Sequence, residues 1–181
     1  MKKIALITLI SFVLVHCTKE DNFLIARGQV GKITTGTKVN ELKSIFAKDS
    51  LVSNYDKDDF AASPYDEFVV YDKDGNHLLT IRPKDQNDST STIESVQIFD
   101  KRYKTATGLG LNSAFKDIVN DYKVNKVEST FTTAVLFVDE LDATIAIDKK
   151  DLGIKDFGTQ KIALEQIPDL AKIKTFTLWF D

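Results

Sequence analysis

Alternation of apolar and polar residues dominates most of the chain and predicts β-strands. Two such runs, Glu67–Tyr71 and His77–Ile81, flank the segment Asp72-Lys73-Asp74-Gly75-Asn76. An Asp-Gly step between β-rich runs predicts a hairpin, because glycine takes a positive φ without steric cost. Later segments rich in β-branched and aromatic residues predict further strands, at Thr92–Phe99, Lys123–Thr132, Thr133–Val138, Ala143–Ile147 and Thr175–Phe180.

Helical periodicity replaces this alternation in a few segments. Apolar residues recur every three to four positions in Lys38–Lys48, Ser113–Tyr122 and, more weakly, Ile162–Lys172. Thr37 is the predicted N-cap of the first helix, and Asn112 or Ser113 that of the second. Pro168 lies inside the third segment and should break or restart that helix.

The predicted turn, helix and strands occur twice in the same order. Thr35-Gly36 and Leu42–Phe46 match Thr107-Gly108 and Phe115–Val119, with one residue inserted between turn and helix. The strands that follow are also alike in both copies. The sequence therefore predicts an α+β fold with a mainly antiparallel sheet covered by short helices. It also predicts one domain, residues 23–181, with related halves at about 30–100 and 103–181. Each half offers an apolar sheet face and an amphipathic helix to cover it.

Two segments, Ile33–Leu42 and Tyr103–Val119, resemble parts of known envelope proteins. The pattern is similar to small lipoprotein domains of the outer-membrane assembly factor E type and to the β-lactamase-inhibitory-protein type. The resemblance implies a helix packed on a three- or four-stranded antiparallel sheet, in two tandem copies in the second type. The chain lacks the paired cysteines of the inhibitor type and shows one clear helix per half rather than two. No partner-binding residue is carried over.

The first residues of the chain predict a targeting signal. Lys2-Lys3 precedes Ile4–Val15, which is apolar except for Thr8 and Ser11. A membrane-spanning helix needs about 20 apolar residues, so this run is too short. A basic start before such a run is typical of a secretory signal.

The only cysteine follows this apolar run directly. Leu14-Val15-His16-Cys17 resembles the lipobox of bacterial lipoproteins, although the position before the cysteine is usually Gly, Ala or Ser rather than His16. The resemblance implies removal of residues 1–16, lipidation of Cys17 and a lipidated tether over 17–22. The alternative is a plain signal peptide with an incidental or buried cysteine. Two or more attached acyl chains provide stable membrane anchoring.

A second possible targeting signal follows the cysteine. Cys17-Thr18-Lys19-Glu20-Asp21 resembles the lipoprotein export signal of Bacteroidetes. The resemblance implies that Lys19, Glu20 and Asp21 direct the protein to the outer face of the outer membrane. The alternative is a short solvated tether that leaves the protein on the periplasmic face.

Composition removes several classes of function. The chain of 181 residues has 24 basic and 27 acidic residues, a formal charge of −3. Removal of residues 1–16 leaves 22 basic residues against 27 acidic ones, a charge of −5, which argues against a nucleic-acid binder. One cysteine excludes an intrachain disulfide and a Cys-rich zinc site. After processing, His77 is the only histidine, so neither a Ser-His-Asp nor a Cys-His arrangement is predicted. We predict no metal site and no cofactor.

A few short motifs leave alternatives open. Asp72, Asp74 and Asn76 alternate like the start of a calcium loop, but the later glutamate is missing, so a turn is favoured. An acidic segment, residues 56–59, reads the same way. Asp49-Ser50-Leu51 and Asp88-Ser89-Thr90 resemble O-glycosylation acceptors of exported Bacteroidetes proteins. Trp179 is either in a core or edge strand or on an exposed aromatic platform.

These observations together predict a lipid-anchored protein of the cell envelope, located at the outer membrane. The predicted role is a non-catalytic module that binds an envelope protein or a glycan. The alternative is a carboxylate-dependent hydrolase, which would need a cleft holding two acidic residues about 5–10 Å apart. An exposed apolar patch would favour the binding module.

Overall fold

The fold is built on one antiparallel sheet of eight strands. The computed structural model describes residues 21–53, 67–154 and 158–180. The sheet has the strand order β4-β5-β6-β7-β12-β11-β10-β9, with strands at β4 (Ser50–Ser53), β5 (Phe68–Tyr71), β6 (His77–Pro83), β7 (Ile93–Ile98), β9 (Lys126–Ser129), β10 (Thr133–Val138), β11 (Ala143–Asp148) and β12 (Ile173–Trp179). This confirms the predicted α+β class and its mainly antiparallel sheet. Gly75, with φ of 80°, closes the predicted hairpin between β5 and β6.

A small second sheet ties the two halves together at the start of the domain. It has the order β3-β2-β1-β8 and comprises β1 (Leu24–Ala26), β2 (Gln29–Val30), β3 (Ile33–Thr34) and β8 (Lys104–Thr105). Strand β1 pairs in parallel with β8, which belongs to the second half. The sequence reading missed these short strands and β4, because two to four residues carry little periodicity.

Each half contributes a short helix followed by four consecutive strands. Residues Val39–Glu41 form a 3-10 turn that continues into α1 (Leu42–Ile45), and α2 spans Phe115–Asp121. The last strands of the two halves, β7 and β12, pair antiparallel in the middle of the sheet. The sheet is therefore related to itself by an approximate two-fold axis between these strands.

The backbone hydrogen bonds around the two helices repeat almost one for one. Lys38 bridges Thr92 just before β7, and Ala114 bridges Lys172 just before β12. The backbone carbonyl of Leu42 accepts a hydrogen bond from the amide of Phe46, and that of Ile118 accepts one from the amide of Tyr122. The structural match is therefore Leu42 with Ile118. The sequence alignment, which paired Leu42 with Phe115, was out of register by three residues, nearly one helical turn.

The predicted caps were also too early, by one residue at Thr37 and Ser113 and by two at Asn112. The helices start after Lys38 and Ala114, whose amides donate to the carboxylates of Glu41 and Asp117. The Thr37 hydroxyl instead accepts from the amide of Thr34, and the Ser113 hydroxyl does the same for Gly110. These hydroxyls therefore hold the preceding turn rather than the helix end.

The segment Ile162–Lys172 forms no α-helix. Its only regular element is a 3-10 turn at Leu164–Gln166, before Pro168. Its apolar residues pack instead under the second half of the sheet, at Ile162, Ile167 and Ala171. No helix in the described part of the chain is long and apolar enough to cross a membrane.

One face of the sheet holds the core. A single register row crosses all eight strands on this face, through Leu51, Val70, Leu79, Ile98, Phe176, Ile145, Leu136 and Val127. The inner six of these side chains are at most 1% exposed. Leu42 from α1 and Phe115 and Ile118 from α2 are buried in the clusters beneath this face. The other face of the sheet is left without a covering helix among the described residues.

A buried lysine, Lys149, connects two loops of the second half. Lys149 is 3% exposed, and its ammonium donates to the backbone carbonyls of Thr130 and Gly158. A buried charge of this kind needs such partners, because desolvation is costly. The lysine therefore joins the β9–β10 turn to the segment that follows β11.

Candidate functional site

The uncovered sheet face, here called the open face, has a neutral centre. Its middle register row crosses all eight strands, through Val52, Val69, Thr80, Gln97, Thr177, Thr144, Phe137 and Lys126. The residues of this row alternate with the core row, since successive side chains of a strand point to opposite faces. Only its last member is charged. The centre of the face is therefore built from threonine, glutamine and apolar side chains.

An aromatic cluster lies at one side of the open face. The His77 ring stacks on Phe99 with centroids 3.7 Å apart, and Tyr71 contacts the same imidazole at 5.3 Å. Phe99 remains 40% exposed. Burial lowers the pKa of His77 below its ordinary value of 6.5, so the ring is neutral at pH 7. His77 is thus half-buried in an aromatic stack rather than a freely exposed cross-strand residue.

Trp179 lies on the open face at the end of central strand β12. It is 38% exposed, and its indole nitrogen donates to the Thr144 hydroxyl at 3.0 Å. Leu178 before it is fully buried on the core face. The strand is a core strand, as the first of the two sequence interpretations expects, and the Trp179 ring is partly exposed on its open side.

Charged residues of the open face are paired around its border. Arg82 and Glu67 lie 2.7 Å apart at one end of the strands, and Lys174 and Asp148 lie 2.9 Å apart at the opposite end. Lys126 on edge strand β9 pairs with Glu128. The face therefore combines a neutral centre with a rim of ion pairs, the distribution found in protein–protein interfaces.

A separate cleft opens where the described chain begins, and is here called the N-terminal cleft. It has a volume of about 360 Å³ and lies between the end of α1 and the loops after β5 and β7. Its walls are largely apolar, from Phe23, Ile45, Phe46, Leu78 and Tyr103. Its charged residues are Lys32, Lys48, Arg102, Asp49 and Asp72.

Some of these charges are already neutralised. Arg102 donates to Asp100 at 2.8 Å and to Asp72 at 3.4 Å, and its guanidinium lies over the Phe23 ring. The hydrogen bonds from Arg102 lower the pKa of Asp100, and the hydrogen bonds from Asn76 lower that of Asp72. By contrast, Lys32, Lys48 and Asp49 form no ion pair with any described residue.

Tyr103 presents an unpaired donor to the N-terminal cleft. The residue is 3% exposed, and its ring meets Phe23 edge-on with centroids 5.0 Å apart. Its hydroxyl has no hydrogen-bond partner in the described part of the chain. Burial, with the negative charges of Asp100 and Asp49, raises the pKa of this hydroxyl. The group is therefore a protonated donor at any physiological pH.

Most residues of the predicted lipidation and export signals lie outside the described part of the chain. Cys17, Lys19 and Glu20 lie outside the described residues, as does the acidic segment 56–59. Asp21 is exposed, and its carboxylate accepts from the amide of Phe23 at 3.0 Å, which forms a tight turn at the start of the domain. The Ser89 acceptor candidate is exposed in the loop before β7.

The alternating oxygens after β5 form a turn rather than a calcium loop. The Asp72 carboxylate accepts from the amides of Asp74 and Asn76, both at 2.9 Å. No group of three or more potential ligands that could hold a metal ion occurs among residues 21–53, 67–154 and 158–180.

None of the described carboxyl groups with a shifted pKa is a candidate for the proton donor of a glycosidase. The pKa is lowered at Asp72, Asp88, Asp100 and Asp148, in each case first by a side-chain hydrogen bond. A glycosidase acid requires the opposite shift, since it must hold its proton near neutral pH. These four carboxylates are ionised acceptors in turns and ion pairs.

The chain is similar in fold to a solved structure. The crystal structure of the uncharacterized protein yfeY from Escherichia coli superposes with a TM-score of 0.53, over 87% of this chain and 99% of that chain. The sequence identity is 15%, so the likeness shows the fold alone. No family model matches the chain, and no curated protein matches it.

Proposed function

We propose that this protein is a lipid-anchored module of the cell envelope that binds a protein partner on its open face. The observation that carries the proposal is the neutral, aromatic-bearing sheet surface bounded by ion pairs. Interface centres are depleted in charge and enriched in Tyr, Trp and Phe. Tyr71, Phe99 and Trp179 supply these aromatic groups.

The size of the open face favours a protein over a glycan. Eight strands at about 4.8 Å spacing span roughly 34 Å, and strands of four to seven residues add about 13–23 Å in the other direction. The resulting area of roughly 400–800 Å² approaches the ~800 Å² that each partner contributes to a standard interface. A glycan fits a narrower site, such as the surface around Trp179, and is the second outcome of the test.

Photo-crosslinking in intact cells tests the open face. A photoreactive residue at Thr177, in the centre of the face, should give one discrete protein adduct. The same residue at Lys116, exposed on α2 on the opposite side of the sheet, should give none. The substitution Gln97→Arg should abolish the Thr177 adduct, because it places an unpaired charge in the neutral centre. Equal labelling from both positions would refute the open-face interface, and an adduct sensitive to glycosidase would assign it to a glycan.

Membrane anchoring is tested at the predicted lipidation and export signals. Wild-type protein should sediment with membranes and incorporate a labelled fatty acid, and Cys17→Ala should do neither. Replacing Lys19, Glu20 and Asp21 by alanine should preserve lipidation but remove access of protease to the protein on intact cells. A Cys17→Ala protein that still carries the fatty acid would refute lipidation at this residue.

A further inference from the structure

We propose that the N-terminal cleft binds one membrane glycerophospholipid with a primary-amine headgroup, close to the protein's own anchor. The inference rests on the proposed lipid anchor for its location. It rests on the cleft residues for its chemistry. It adds a second, non-covalent contact with the bilayer at a place separate from the open face.

The position of the cleft follows from the length of chain before it. Asn22 and Phe23 line the cleft, and five residue steps separate Cys17 from Asn22. A fully extended chain spans at most about 3.6 Å per residue, so these residues lie within about 18 Å. The polar headgroup layer is itself several Å thick. A protein anchored at Cys17 therefore holds this cleft within reach of neighbouring lipid headgroups.

The unpaired charges of the cleft match a zwitterionic headgroup. Lys32 and Lys48 supply two ammonium groups for a phosphate, and Asp49 supplies a carboxylate for a primary amine. Arg102 and Asp72 are excluded from this role because each is held by other partners. An anionic headgroup without an amine would leave Asp49 unpaired beside the phosphate.

Tyr103 and the apolar walls match the rest of the lipid. The Tyr103 hydroxyl has no acceptor among the described residues and is accessible from the cleft, so its proton is available to a ligand there. Nearby carboxylates disfavour an anion at this hydroxyl, whereas the neutral ester carbonyl of a lipid accepts a hydrogen bond there. Phe23, Phe46 and Leu78 line the space for the first carbons of an acyl chain.

Titration of the unanchored full chain tests the cleft independently of lipidation. The full chain carrying Cys17→Ala is titrated with dihexanoyl phosphatidylethanolamine below its micelle concentration, and binding is followed by calorimetry. We expect saturable one-to-one binding. Dihexanoyl phosphatidylglycerol, which lacks the amine, and free phosphoethanolamine, which lacks the acyl chains, should each bind at least tenfold more weakly.

Variants separate the cleft from general surface attraction. Tyr103→Phe keeps the ring and removes the hydroxyl, and should weaken binding roughly fivefold, the effect of one neutral hydrogen bond. Lys32→Gln with Lys48→Gln should weaken it more than tenfold. Lys116→Gln on α2 is the matched control and should change nothing. Thermal unfolding confirms that each variant is folded.

Several results would overturn the proposal. One is that wild-type protein does not bind the phosphatidylethanolamine. Another is that phosphatidylglycerol or free phosphoethanolamine binds as tightly as the phosphatidylethanolamine does. A third is that Tyr103→Phe and the double lysine variant bind it as tightly as wild type. Failure here with wild-type protein still lipidated at Cys17 removes the lipid site and leaves the anchor intact. Binding here without lipidation of wild-type protein removes the anchor and leaves the site.

Discussion

Replacing Phe176 by alanine tests whether the two halves of the sheet unfold as one unit. Phe176 is fully buried in β12, opposite Ile98 of the first half and Ile145 of the second. Removing a buried phenylalanine side chain costs about 3–5 kcal/mol, through lost transfer energy and the cavity left behind. A domain has a total stability of only about 5–15 kcal/mol, so this loss is large. Because Phe176 contacts both halves, the loss should appear in a single unfolding transition.

Calorimetry and urea denaturation measure this loss. Circular dichroism reports the whole sheet, and the fluorescence of Trp179, the only tryptophan, reports the junction of the halves. We expect coincident transitions from the two probes and a melting temperature lowered by roughly 6–20 °C, at about 2–4 °C per kcal/mol. The control is Phe131→Ala, since Phe131 is 67% exposed in the β9–β10 turn and its loss should cost at most about 0.5 kcal/mol. Two separate transitions, with one unmoved by Phe176→Ala, would refute the shared core.

Three further predictions concern single groups. Lys149→Met should lower the free energy of unfolding by about 1–3 kcal/mol, because two backbone carbonyls lose their donor, whereas Lys150→Met at the exposed neighbour should leave urea denaturation unchanged. In an NMR titration His77 should show a pKa below 6.5, and Phe99→Ala should raise it towards 6.5 by exposing the ring; no change would argue against the stack. Asp100 has a pKa lowered in the folded state, so it stabilises the fold above about pH 4 and loses that contribution as the pH falls through its folded value. Asp100→Asn should therefore flatten the loss of stability below pH 4, and an acid transition as steep as that of wild type would contradict this.

Strand positions were predictable from the sequence because one face of each strand is buried and the other is not. The runs Thr133–Val138 and Ala143–Ile147 are rich enough in β-branched, aromatic and other apolar residues to place β10 and β11 to within one residue. The Asp-Gly turn fixed the hairpin of β5 and β6 in the same way. The repeat was also visible, since both halves must place an amphipathic helix beneath an apolar sheet face.

Local patterns failed where long-range contacts decide the outcome. The caps were misplaced because Thr37 and Ser113 have good capping hydroxyls, yet the backbone bridges of Lys38 and Ala114 to distant strands set the helix starts. The segment Ile162–Lys172 has helical spacing, but its apolar residues pack beneath the sheet as an irregular strip. The repeat register slipped because apolar residues recur at nearly every turn, and only hydrogen bonds identify the equivalent one.

The candidate functional surfaces also combine features that the sequence predicts with features that only the tertiary structure sets. The sequence alone determined the shortage of histidine and cysteine and the positions of the longer strands, and it predicts the targeting residues, since these depend on composition, period and short motifs. It did not determine that β7 and β12 pair, which joins Gln97 and Thr177 into one neutral surface eight strands wide. Nor did it indicate that Tyr103 meets Lys32 and Lys48 in one cleft. Such residues lie far apart along the chain, and only the closure of the tertiary structure brings them together.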